Sequence, residues 1–114
     1  MTPTSPPDRN RRASPRKAIR RAARILVADT ERDVQTWDLG RDGMCLVSTR
    51  PIAPGTRCRI VFDLPLGGEP VAVSAAAKIV YSSYSAAGEF KIGALFLDLD
   101  EGVAAALGNF AANA

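Results

Sequence analysis

Polar and apolar positions alternate along much of this chain. From Thr56 to Leu64, Cys58, Ile60, Phe62 and Leu64 fall on one face, and Arg57, Arg59 and Asp63 on the other. A period of two is that of a strand with one face buried. The same period runs through Val71, Val73, Ala75, Ala77, Ile79 and Tyr81, and through Phe90, Ile92, Ala94 and Phe96. These runs predict strands over 71–82 and 90–97. Shorter β-favouring runs predict strands over about 24–28, 33–39 and 44–49. The connections carry turn chemistry: Pro51, Pro54 and Gly55 before Thr56, Gly67-Gly68 at the tip of a hairpin loop over 65–70, and a turn over 83–89. Near the C-terminus the period changes. Asp100 is expected to cap a helix, with Glu101 favourably placed against its dipole. Val103, Leu107 and Phe110 then form an apolar stripe at i, i+4, i+7 that docks on the body. About six short strands with regular turn signals predict a mainly β fold. The expected form is a small antiparallel six-stranded β-barrel, which removes exposed sheet edges, with a C-terminal α-helix plugging or capping it.

The N-terminal quarter reads less clearly. Residues 1–11 hold three prolines and no large apolar side chain after Met1, and are expected to be a disordered tail. From Arg12 to Leu26, Ile19, Ala22, Ala23 and Leu26 fall at helical spacing, so a basic amphipathic helix competes with a loop leading into the first strand. The loop is preferred, because Ser14-Pro15 breaks the segment early and Ile25-Leu26-Val27 favours a strand. One domain over 12–112 is therefore expected, with the arginine-rich loop included in it.

Charge sharpens this division. Residues 1–28 carry eight basic groups and one acid, whereas residues 29–114 carry seven basic groups and eleven acids. A cationic arm on a mildly acidic body is suited to meeting an anion. At 114 residues and 46% hydrophobic content the chain fits a single core. No apolar run approaches the ~18 residues that span a bilayer. The start of the chain lacks the apolar block of a signal peptide. Cys45 and Cys58 form no CxxC and are expected to be small core residues in a reducing cytoplasm. Histidine is absent, which excludes a His-based triad and a zinc site with His ligands. No nucleophile–base pair or carboxylate cluster at metal spacing stands out, so an enzyme is not expected.

The stretch Trp37-Asp38-Leu39-Gly40-Arg41-Asp42-Gly43 puts two glycines and two aspartates between two strand-like runs. The plain reading is a hairpin turn. Together with the arginine arm it supports a second one. Arg12-Ala13-Ser14-Pro15-Arg16 is an RxxxR, and Asp38-Leu39-Gly40-Arg41-Asp42-Gly43 has the form DxGxxG. In order and separation these resemble the two ligand motifs of the PilZ domain family, bacterial receptors for cyclic di-GMP, RxxxR and [D/N]xSxxG. Here Gly40 stands where the family has Ser. The connection Arg50 to Thr56 and the closing run Phe90 to Leu99 resemble the family as well, so the likeness covers roughly residues 11–110. Arg16–Arg20 also fits RxxxR. The Arg12–Arg16 register is preferred because it leaves 22 positions to Asp38, room for a strand, a turn and a second strand, against 18 from Arg20.

The resemblance implies a ligand site of Arg12, Arg16, Asp38, Gly40 and Gly43, flanked by Arg11 and Arg20. The residue types suit the ligand. A guanidinium fork matches guanine O6 and N7, and a good bidentate pair discriminates by ~1–3 kcal/mol. Arginine also pairs bidentately with phosphate and stacks on purines. Asp38 would accept from guanine N–H groups, and Gly43 would let the backbone turn sharply beside them. The family pattern gives the Ser hydroxyl a ligand hydrogen bond. Its loss should cost ~0.5–1.5 kcal/mol, or up to ~3 with a charged partner, so weakened binding is expected.

The implied function is a cytoplasmic cyclic di-GMP receptor or adaptor that changes conformation on binding and signals to an unidentified effector protein. No cofactor beyond that ligand and no membrane span are expected. Gly40 also favours an alternative, a PilZ-like interaction adaptor that binds no nucleotide. Nucleic-acid binding through the arm is disfavoured, since no run of exposed aromatics accompanies it. Trp37 and Tyr81 are expected as wall or core aromatics, either of which could border the ligand.

Overall fold

The period-two runs become strands that pair antiparallel throughout. The computed structural model describes residues 15–66 and 69–112. The tail expected over 1–11, Arg12, and the Gly67-Gly68 hairpin tip lie outside the described residues. In chain order the elements are β1 Arg16–Ala18, β2 Ala22–Val27, β3 Thr30–Gly40, β4 Gly43–Ser48, β5 Arg57–Leu66, β6 Glu69–Ala86, β7 Glu89–Phe96 and the helix α1, Glu101–Ala112. The pairing runs β3-β2-β5-β6-β7-β4 and returns from β4 to β3, a closed ring of the six expected strands. β1 is an addition. It lies inside the segment expected as a loop and, among the described residues, pairs only with β3, over Asp38 to Gly40 beyond the stretch that β2 pairs.

Alternation decides which side chains face inward. In β2, Ala23 and Ile25 are buried and Ala22 and Arg24 are exposed. In β5, Ile60, Phe62 and Leu64 are buried and Arg57, Arg59 and Asp63 are exposed, as the period requires. Ile25, Ile60, Ile79 and Ile92 are wholly buried. Each such side chain contributes roughly 1.5–3 kcal/mol of transfer free energy. α1 adds fully buried Leu107 and mostly buried Phe110 to the same core, with Val103 half-buried beside them. The helix packs on β3 and β1. Its cap is the expected one: Asp100 Oδ2 accepts from the Gly102 amide at 3.0 Å and from the Val103 amide at 3.3 Å.

Three local expectations change. The turn over 83–89 shrinks to Ala87-Gly88, because β6 runs on to Ala86. Tyr84 packs edge-on against Phe90, ring centroids 5.7 Å apart, and Ser85 Oγ donates to Glu89 at 2.8 Å, so the hairpin zips almost to its end. Tyr81 leaves the inward face of β6. A register shift between Ile79 and Tyr81 adds one residue and turns the ring outward, 45% exposed. Val71 also stays exposed, since the far end of the β5–β6 hairpin outruns its pairings with β2 and β7.

Candidate functional site

The site begins with how β1 is held. Ile19 N–H donates to Trp37 O at 3.1 Å. Thr36, 1% exposed, donates from Oγ1 to Ile19 O at 2.6 Å and accepts from the Arg21 amide at 2.9 Å. One buried hydroxyl thus ties the arginine segment to β3 with its polar needs met. Lys17 Nζ sits 4.5 Å over the Phe110 ring, joining β1 to α1.

β3 carries a second device. Its pairing with β4 shifts between Thr36 and Asp38, so Trp37 is an extra residue on that strand. Such a bulge re-aims the side chains that follow it. β1 meets β3 just beyond the bulge, with Arg16 opposite Gly40 and Ala18 opposite Asp38. There Arg16 Nη1 donates to Asp38 Oδ1 at 2.8 Å, with the two side chains 31% and 25% exposed. The sequence places these residues 22 positions apart; the structure makes them an ion pair.

The pair stands at the rim of an open cavity of about 1130 Å³. Arg41 and Asp42 from the β3–β4 turn, Tyr81 from β6, and Leu95 from β7 continue its wall. Leu99 and Ala104 bring in the start of α1. The lining therefore combines guanidinium groups, carboxylates and an exposed aromatic ring. That set can hold an anion and a flat heterocycle together.

The other expected site residues divide. Gly40 adjoins the ion pair. A Cβ there would lie 2.7 Å from Pro15 O and 2.8 Å from Arg16 Cδ. Gly43 opens β4 directly against β7, where a Cβ would meet the Ala94 carbonyl, so its role in the structure is close strand approach. Arg20 does not line the cavity. Its guanidinium stacks 3.6 Å from the centre of the Trp37 ring and donates to Trp37 O at 2.6 Å. Lys91 Nζ lies over the same ring at 4.0 Å. Trp37 is half-buried beneath these cations. Arg11 and Arg12 lie outside the described residues. Arg41 lines the cavity with no ligand role expected of it, and Tyr81, expected as a wall or core aromatic that could border the ligand, lines it as well, whereas Trp37 does not. Arg41 sat unused inside the glycine stretch, and Tyr81 turns outward only through its bulge.

Burial accounts for the titration behaviour nearby. Desolvation pushes the Tyr81 phenol up to about 12, helped by its hydrogen bond to Cys45 Sγ at 3.5 Å. Burial likewise raises the Cys45 thiol, and raises Cys58 to about 11. Both thiols stay protonated near neutrality, which fits packing roles and not nucleophilic ones.

Fold and site together define a small antiparallel β domain with an arginine-bearing edge strand laid over a Gly/Asp turn. The sequence model of the PilZ domain matches residues 10–113, and the chain belongs to that family. Two solved structures share the fold at 14% identity. One is the inhibitor of motility MotI/DgrA of Bacillus subtilis, at a TM-score of 0.79 over 90% of this chain and 50% of that one. The other is PlzA of Borreliella burgdorferi, solved in complex with c-di-GMP, at a TM-score of 0.66 over 91% of this chain and 42% of that one. The chain thus spans half or less of the length of these two structures. Comparison with curated protein sequences gives no match.

Proposed function

We propose that this PilZ domain is a cyclic di-GMP receptor that acts by binding and not by catalysis. The observation that carries the reading is the Arg16–Asp38 pair at the rim of the open cavity. Arg16 takes a guanine edge or a phosphate, and Asp38 accepts from guanine N–H groups. Arg41 and Tyr81 extend the same surface with a second cation and a stacking face. Arg20 is engaged with Trp37, which supports Arg12–Arg16 as the ligand-facing register. With Gly40 in place of Ser, affinity is set without one hydroxyl hydrogen bond. The domain works in the cytoplasm and passes its state to an effector protein. Among the described residues no helix is long and apolar enough to cross a membrane.

β1 contacts both Asp38 and α1, so a ligand that takes Arg16 from Asp38 also shifts the Lys17–Phe110 contact. This gives the effector a changed helix surface to read. A second reading, an adaptor that binds no nucleotide, is favoured by one observation: Arg16 and Asp38 already satisfy each other. Thermal unfolding with and without cyclic di-GMP separates the two. A bound ligand at 100 times its Kd stabilises by about 2.7 kcal/mol, whereas the adaptor reading predicts no shift.

A further inference from the structure

We propose that Gly40 is a positioning residue: its bare Cα lets β1 lie against β3, and a serine restored at this position would weaken ligand binding, not strengthen it. In its affinity arm the inference rests on the cyclic di-GMP reading above. In its structural arm it does not.

Residues directly opposite in an ordinary antiparallel pair keep their Cβ atoms about 4.5–5.5 Å apart, so a side chain normally fits. Opposite Arg16 it does not. A Cβ on Gly40 would stand 2.7 Å from Pro15 O and 2.8 Å from Arg16 Cδ. The incoming chain therefore crosses over the face of Gly40, and the Arg16 stem lies on it. That same stem carries the guanidinium to Asp38, 2.8 Å away. The space at Gly40 and the aim of Arg16 are one geometry.

Neither contact can yield without moving Arg16. Pro15 O belongs to the backbone that enters β1, and the proline ring restricts its φ. Swinging Arg16 Cδ aside carries the guanidinium off Asp38. β3 is the more firmly seated strand, paired with β2 over Thr30 to Gln35 and with β4 from Gln35 to Leu39. β1 is three residues long and, among the described residues, has one strand partner. It is the element that gives way. A hydroxyl gained at position 40 would be offset by the misplacement of the arginine it was meant to assist. The family pattern alone predicts the opposite sign.

The test uses the whole chain with Gly40→Ser and Gly40→Ala, the second separating bulk from the hydroxyl. In the absence of ligand, amide hydrogen exchange is followed at Ile19, whose N–H is held by Trp37 O, and across residues 16–18. Exchange there is expected to quicken about tenfold or more in both variants, with β5 and β6 unchanged. Calorimetry with cyclic di-GMP is expected to show about tenfold weaker binding by both variants. Unchanged exchange over 16–19, loss of protection spreading through β5 and β6, or binding by Gly40→Ser as tight as the parent chain would each overturn the proposal. If the parent chain itself shows no cyclic di-GMP binding, the functional reading fails, and the exchange measurement still decides the role of Gly40.

Discussion

Arg16 and Asp38, 22 residues apart in the chain, meet at 2.8 Å because a three-residue strand crosses β3 just past a bulge. The pair is partly exposed, so its worth to folding is small, about 0.2–1 kcal/mol. In the proposed receptor its worth to the ligand is larger, because the fork geometry of arginine selects planar partners. Arg16→Lys keeps the charge and loses the fork. Stability is expected to change by less than about 0.5 kcal/mol in denaturant titration. Cyclic di-GMP affinity should fall about tenfold, consistent with one lost bidentate contact of ~1–3 kcal/mol. Equal affinity in the variant would remove Arg16 from the ligand site.

Thr36 holds the arginine segment by a hydroxyl that both donates and accepts. Thr36→Val keeps the shape and abolishes both bonds, leaving the Arg21 amide and Ile19 carbonyl with fewer partners. The expected loss is ~1–3 kcal/mol, seen as a lower midpoint in thermal or urea unfolding. Loss of protection should begin at β1 and the 19–21 connection.

Ala28 turns the β2–β3 hairpin at φ 55, in the left-handed region that a Cβ disfavours by ~1–2 kcal/mol. Ala28→Gly relieves that strain and gives back part of the gain through unfolded-state entropy, ~0.5–1 kcal/mol. A net stabilisation of up to about 1 kcal/mol is expected, measurable as a Tm higher by a few degrees.

The half-buried Cys58 thiol and the partly desolvated Tyr81 phenol set an alkaline limit. Cys58 rises from 9.0 to about 11 in the folded chain, and Tyr81 from 10.0 to about 12. A raised folded pKa means that the unfolded chain releases its proton first. The contribution of these groups is therefore intact below about pH 9 and is lost as pH climbs through the 9–12 window. A Tm series should be level with respect to these groups up to pH 9 and fall above it, and Cys58→Ala should flatten the lower part of the fall. Alkylation of Cys58 at pH 8 should be much slower than that of a free thiol.

Much of the fold was legible because burial in a sheet is counted in twos. Ile60, Phe62 and Leu64 declare an inner face by spacing alone, and Asp100 declares a helix start by its chemistry. What stayed hidden depends on pairing and not on pattern. A bulge adds one residue to one strand, and nothing in Trp37 or Tyr81 announces which strand will carry it. β1 stays hidden because Arg16-Lys17-Ala18 is too short to show an alternation and its partner β3 lies far along the chain. The site was legible in part for the same reason. Arg16 and Asp38 could be paired through a family resemblance, whereas Arg41 and Tyr81 come to the cavity through a turn and a bulge. Gly40 was legible as a missing hydroxyl, but the backbone passing over it was not.

In the proposed function this domain takes cyclic di-GMP at Arg16 and Asp38. The most direct test is calorimetric titration of the intact chain with cyclic di-GMP, beside Arg16→Ala and Asp38→Ala. Saturable heat is expected for the parent chain, and its loss in both variants. No saturation by the parent chain at high micromolar ligand, or binding undiminished in both variants, would contradict it.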